Sequence, residues 1–121
     1  MDISNPVIQL IIQGTQAEYA KKPQEACNLY QQAWQICTDA YDFCIAAHYI
    51  ARCQPTPAEK CEWNQIALKH AQEIAQDPRI TPFLPSLYLS LGGAYEELGN
   101  FDQSDHYFEL AAGLGVIHQK N

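Results

Sequence analysis

Apolar residues recur along this chain at intervals of three and four, and the runs are broken by short stretches rich in Gly, Pro, Asn, Asp and Thr. Around the string SLGGAYEELGNFDQSDHYFELAA, residues 90–112, Tyr88, Leu91, Gly92 and Tyr95 fall at i, i+3, i+4 and i+7. That spacing is one face of an α-helix, with a glycine where a neighbouring helix can approach closely. Gly99 ends the helix, Asn100 offers an N-cap with Gln103 in the capping-box position, and Phe101, Ser104, Phe108 and Ala111 form the inward stripe of a second helix. The pattern predicts an antiparallel helical hairpin closed by a tight turn.

The same design recurs upstream. Asn5-Pro6 caps a helix carrying Leu10, Gly14 and Ala17, and after the turn at Lys21-Lys22-Pro23 a second helix carries Ala26, Tyr30 and Ala33. In the middle, Asp39 caps a helix with Phe43, Ala46, Ala47 and Ile50 on one face, and Thr56-Pro57-Ala58-Glu59 combines N-cap, first-turn proline and capping glutamate. Six helices in three hairpins are predicted, over residues 6–38, 39–76 and 82–113, with a short tail at 114–121. Trp34, Trp63, Tyr30, Tyr49, Tyr95 and Phe108 sit beside small residues at helical spacing, as close helix packing requires.

Composition narrows the class further. The 121 residues are 47% hydrophobic and 17% charged, which is the composition of a single globular domain able to bury a core. Fourteen acidic against seven basic residues give a net charge of −7, which repels phosphate backbones and anionic membranes, so no nucleic-acid partner is expected. The N-terminal stretch MDISNPVIQLIIQG has no basic leader, and Gln9 and Gln13 interrupt its apolar run. Neither a secretory signal nor a membrane span is expected, and a cytoplasmic location follows as the expectation. Cys27, Cys37, Cys44, Cys53 and Cys61 show no CxxC spacing and lie in apolar helical patterns, so they read as reduced thiols filling the core.

The stretch LYLSLGGAYEELGNFDQSDHYFELA resembles the tetratricopeptide repeat, with Tyr88, Leu91, Gly92, Tyr95, Gly99, Phe101, Phe108 and Ala111 on its defining positions and Ser104 in place of the usual alanine. The first repeat matches through Ala26, Tyr30 and Ala33, whereas Gln13 and Pro23 depart from the pattern; the middle one matches by helical phase. The late alanines Ala33, Ala71 and Ala111 stand 38 and 40 residues apart, against roughly 34 in that family, and the excess falls in RCQPTP and QDPRITPFLPS. As a whole, the chain is similar to small stand-alone bacterial tetratricopeptide proteins. The resemblance implies an all-α, right-handed α-solenoid whose concave groove, lined by the first helix of each pair, binds a protein or peptide.

Groove positions lie one step around from the packing stripe. They are Ser86, Leu89, Gly93 and Glu96 in the third pair, Ile8, Ile11, Thr15 and Glu18 in the first, and Tyr41, Cys44, His48, Ala51 and the flanking Arg52 in the middle. His48 and Arg52, at i and i+4, bring two heads into one region where they either hold a ligand's carboxylate or carbonyl, or serve structure, with Arg52 paired to Glu18 or Glu96. Cys44 and His48 supply at most half of a metal site, and neither a metal nor any other cofactor is expected. No serine, threonine or cysteine has His or Asp at a spacing that makes a nucleophile, and Gly92-Gly93 and Gly113-Leu114-Gly115 follow no strand, so catalysis is not expected. Two further roles stay open. One is homo-oligomeric assembly through an uncapped C-terminal end, which either the tail residues Leu114, Val116 and Ile117 fold back over or two chains bury against each other; the other is regulation of an unrelated enzyme.

Overall fold

Local sequence signals start four of the helices. The side chain of Asn5 accepts a hydrogen bond from the Val7 amide (2.9 Å), Asp39 from Asp42 (2.9 Å), Thr56 from Glu59 (3.2 Å) and Asn100 from Gln103 (3.2 Å). Each satisfies a donor that the first helical turn leaves without a partner. The computed structural model describes residues 2–115 and contains, among them, α1 (Pro6–Tyr19), α2 (Pro23–Gln35), α3 (Ala40–Ala51), α4 (Pro57–Glu73), α5 (Leu84–Glu97) and α6 (Phe101–Gly113), with no strand. The protein is all-α. None of the described helices is long and apolar enough to cross a membrane.

Packing is densest within the pairs α1 with α2, α3 with α4 and α5 with α6; α2 then rests on α3, α4 on α5, and α1 also touches α3. Short turns within the pairs make their helices antiparallel, and in two of them one residue adopts the left-handed conformation, Lys21 (φ 62°) after α1 and Gly99 (φ 77°) after α5. Two glycines mark the closest approaches. A Cβ on Gly14 would lie 2.7 Å from Tyr30 Cδ1, and one on Gly92 would lie 2.6 Å from Phe108 Cδ1, so each aromatic ring occupies the space that a side chain would take. Ser104 fixes the second contact by donating its hydroxyl to the Gly92 carbonyl at 2.9 Å.

The core runs along α3, which is buried on almost every side: Tyr41, Cys44, Ile45, Ala46, Ala47, Ile50 and Ala51 are all inside. A helix that is apolar around its whole circumference belongs between others, as this one does. Buried Asp42 ties the start of α3 to the start of α1 by accepting from Asn5 Nδ2 at 2.8 Å. The aromatics pack as their spacing predicts, Trp34 edge-on to both Phe43 and Trp63, and Tyr95 stacked on Tyr107.

Three findings depart from the sequence-based expectations. Phe101, placed on the inward stripe of α6, is 63% exposed: it opens the helix, beyond the last residue of α5, and Tyr107 is buried instead. The 74–83 linker does more than take up the excess repeat length, because Ile80 is fully buried in the main core and Phe83 packs against it. Cys27 and Cys53 are joined in a disulfide across 26 residues, so these two are not reduced thiols; their helices bring the Cα atoms to 5.8 Å, within bonding range. Cys37, Cys44 and Cys61 remain free.

Candidate functional site

The residues that the sequence assigns to a groove divide into three groups. Cys44, Ile8 and Ile11 are fully buried in the core, and they present nothing to a ligand. Burial pushes the Cys44 thiol up to about 12, so it carries no thiolate at neutral pH. Tyr41 is 4% exposed and lies beneath the linker, with the Arg79 guanidinium 4.2 Å over its ring. Thr15 turns its hydroxyl back onto the Ile12 carbonyl at 2.8 Å, Ser86 is exposed near the start of α5, and Glu96 is half-buried on the same helix.

His48, Ala51, Arg52, Leu89 and Gly93 do come together. With Lys60, Asn64, Ser90, Ala94 and Glu97 they line a cavity of about 330 Å³ where the C-terminal half of α3, the start of α4 and the face of α5 converge. Small residues make this space: Ala51, Gly93 and Ala94 carry little or no side chain, and a Cβ on Gly93 would meet nothing within 4 Å. Sequence spacing missed the share of α4, Lys60 and Asn64, because it assigned the groove to the first helix of each pair alone.

Polar contacts around the cavity are of two kinds. Arg52 forms a two-pronged ion pair with Glu18, its Nη2 2.7 Å from Oε2 and its Nε 3.0 Å from Oε1, and Tyr30 donates its hydroxyl to the same Oε1 at 2.5 Å. The hydrogen bond from Arg52 holds the Glu18 carboxyl below its usual range. Half of the Arg52 side chain stays exposed, so the guanidinium is anchored at one edge and open at the other. His48, by contrast, is 7% exposed; its Nδ1 lies 3.2 Å from Asn64 Oδ1, an arrangement satisfied by the Nδ1–H tautomer, and its ring meets Phe83 and Tyr49 edge-on. Burial pushes its pKa down to about 4 despite the hydrogen bond it donates to Asn64, so it is neutral near pH 7.

Ser90 shares the cavity with His48 and Asn64, but among the described residues no hydrogen bond joins Ser90 to His48, and an imidazole held near pKa 4 is a weak base. Also among the described residues, no group of three or more His, Cys, Asp or Glu side chains is placed to hold a metal ion. A second cavity of about 410 Å³ lies at the other end of α3, between Tyr41, Ile45, Arg79, Pro82, Phe83 and Asp2, and is mostly apolar. Its arginine is engaged by Asp77 at 2.6 Å. No protein-family model, no curated protein and no solved structure matches this chain.

Proposed function

We propose that this chain is a non-catalytic interaction module of the tetratricopeptide kind, its hairpins stacked as an α-solenoid, that takes an extended segment of a cytoplasmic protein partner into the cavity between α3, α4 and α5. The observation that carries this reading is the chemistry of the cavity walls. Lys60 and Glu97 form no ion pair among the described residues, Arg52 is half open, and the floor at Ala51, Gly93 and Ala94 is low enough for a peptide backbone to lie on it. Charges of both signs above a small-residue floor suit a polypeptide, which brings amide donors and acceptors together, better than a small apolar ligand.

The test is retention of a partner from cytoplasmic extract by the wild type and by Gly93→Leu, a substitution that fills the cavity from a position where a new side chain meets open space. A partner held by the wild type and lost with the folded variant supports the reading; equal retention by both refutes it. Gly93→Leu is a cleaner probe than His48→Ala, which would strip Asn64 of its buried partner and disturb the fold.

A second reading, self-assembly through the C-terminal end, is favoured by Leu110 and Leu114, one turn apart and both exposed. Against it, the outward positions Asp102, Asp105 and Glu109 of α6 would bring like charges together in a symmetric pair. Val116 and Ile117 lie outside the described residues. Sedimentation of Leu110→Glu beside the wild type separates the two readings: a wild-type oligomer dissolved by this change supports assembly.

A further inference from the structure

The Cys27–Cys53 bond stands at one end of the contact between the first two helix pairs, joining α2 to the residue that follows Arg52 at the end of α3. Three other ties meet at the same place: the Glu18–Arg52 ion pair, the Tyr30 hydroxyl on Glu18, and the Tyr30 ring against Tyr49 with centroids 5.4 Å apart. The two that use Tyr30 start from the core, since Tyr30 is fully buried, while Arg52 is half exposed. Hydrogen bonds hold Cys53 and Gln54 back onto Ile50 and Ala51 of α3, so what ties the loop between Arg52 and Thr56 across to α1 and α2 is an open ion pair, which is worth little, and the disulfide. Neither bonded cysteine belongs to the fully buried set, so a reductant can reach the bond. The remaining thiols are poor partners for exchange: Cys44 and Cys61 are buried, and burial pushes Cys37 up to about 12.

We propose that Cys27–Cys53 is a redox-sensitive clasp: a dithiol reductant opens it, frees residues 52–56 and releases Arg52 from Glu18, while the helices stay packed. The exchange balances. A thiolate of the dithiol attacks one sulfur of the bridge to give a mixed disulfide and one cysteine thiolate; its second thiol displaces the other cysteine. The dithiol leaves as its own disulfide, having supplied two electrons, and Cys27 and Cys53 each end with one proton. Because Arg52 lines the cavity, reduction changes the cavity rim, and only this consequence rests on the binding role proposed above. In a reducing compartment such a bond responds to redox state, whereas in an oxidising one it is permanent.

Trypsin reads the clasp directly, because its cleavage site Arg52–Cys53 lies within it. The air-oxidised protein, a sample treated with dithiothreitol, and the Cys27→Ser/Cys53→Ser variant are digested in parallel, fully reduced after quenching, and scored by mass spectrometry at Arg52 and, as an internal reference, at Arg79 in the 74–83 linker. The expected result is cleavage at Arg52 at least tenfold faster in the reduced protein and in the variant, relative to Arg79, with far-UV circular dichroism unchanged. Thiol titration of the oxidised protein in denaturant should count three thiols. A count of five, equal cleavage in all samples, or loss of helical signal on reduction would each overturn the proposal, the last because the bond would then hold up the fold. If the double variant does not fold, the reduced wild type alone decides between these outcomes.

Discussion

Gly92 and Gly93 are neighbours inside one helix, yet replacing each with alanine should change stability in opposite directions. Alanine is favoured over glycine by about 1 kcal/mol at any interior helix position, so propensity alone stabilises both variants equally. At Gly93 a new Cβ meets nothing within 4 Å, and the full gain of about 1 kcal/mol should appear. At Gly92 it would sit 2.5–2.9 Å from three atoms of the Phe108 ring. The helices cannot simply separate, because the Ser104 hydroxyl is bonded to the Gly92 carbonyl at that level. Forcing a carbon into such a contact costs about 1–3 kcal/mol. Set against the propensity gain, Gly92→Ala is expected to be destabilising by about 1 kcal/mol, some 2 kcal/mol below Gly93→Ala. Urea unfolding followed by circular dichroism at 222 nm, with a common slope for all three proteins, measures the gap. Equal stabilisation by both substitutions would refute the close approach of α5 and α6 at Gly92, and with it the helix phase from which the cavity is built.

Three other outcomes follow from individual contacts. The buried His48 has its pKa lowered to about 4, so the unfolded chain binds a proton at higher pH than the folded one does; the contribution is complete above about pH 6.5 and is lost as pH falls toward 4. Between pH 7 and pH 5 the wild type should lose about 2 kcal/mol through this residue, and His48→Gln should flatten that part of the curve; parallel curves would show that His48 is not buried as described. Opening the 26-residue span between Cys27 and Cys53 should lower unfolding free energy by about 3 kcal/mol from loop-closure entropy, read as a shift in urea midpoint with dithiothreitol; no shift would mean that the bond does not form. Gly14→Ala should destabilise more than Gly92→Ala, because the Tyr30 ring that the new carbon would meet is fully buried and held by Glu18, whereas the Phe108 ring is only half-buried; the reverse order in the same titration would count against this account of α1 and α2.

Much of the fold is legible in the sequence because it depends on interactions a few residues apart. Asn5, Asp39, Thr56 and Asn100 cap the helices they precede because a cap needs only an oxygen two or three residues before an unpaired amide. Gly99 ends α5 because a left-handed residue can be accommodated there without a Cβ, although Lys21 takes the same conformation after α1 with no such signal. The close approach at Gly92 was also readable, since the gap and the aromatic residue that fills it lie on adjacent helices of one hairpin.

Relations between hairpins depended on the tertiary structure. The periodicity that marks Phe101 as inward says nothing about where the partner helix stops, and α5 stops too early to cover it. It likewise cannot say that Ile80 enters the core from a proline-rich linker, or that Arg79 closes over Tyr41. Nor does it place Asn64 beneath His48 or Cys27 beside Cys53. These pairs are 16 and 26 residues apart, and their meeting depends on crossing angles and loop paths that summed side-chain packing decides. The Glu18–Arg52 pair lies between these cases, because the groove offset on two helices placed both heads toward the same space, and only the packed chain brought them within 2.7 Å. By itself, then, the sequence determined the six helices found among the described residues, the starts of four of them and the pairing of neighbours, through caps, turns and 3.6-residue periodicity. The tertiary structure decided which of the outward-facing residues became a cavity, which became core and which were bonded together, because each of those outcomes depends on how two separately formed helices meet.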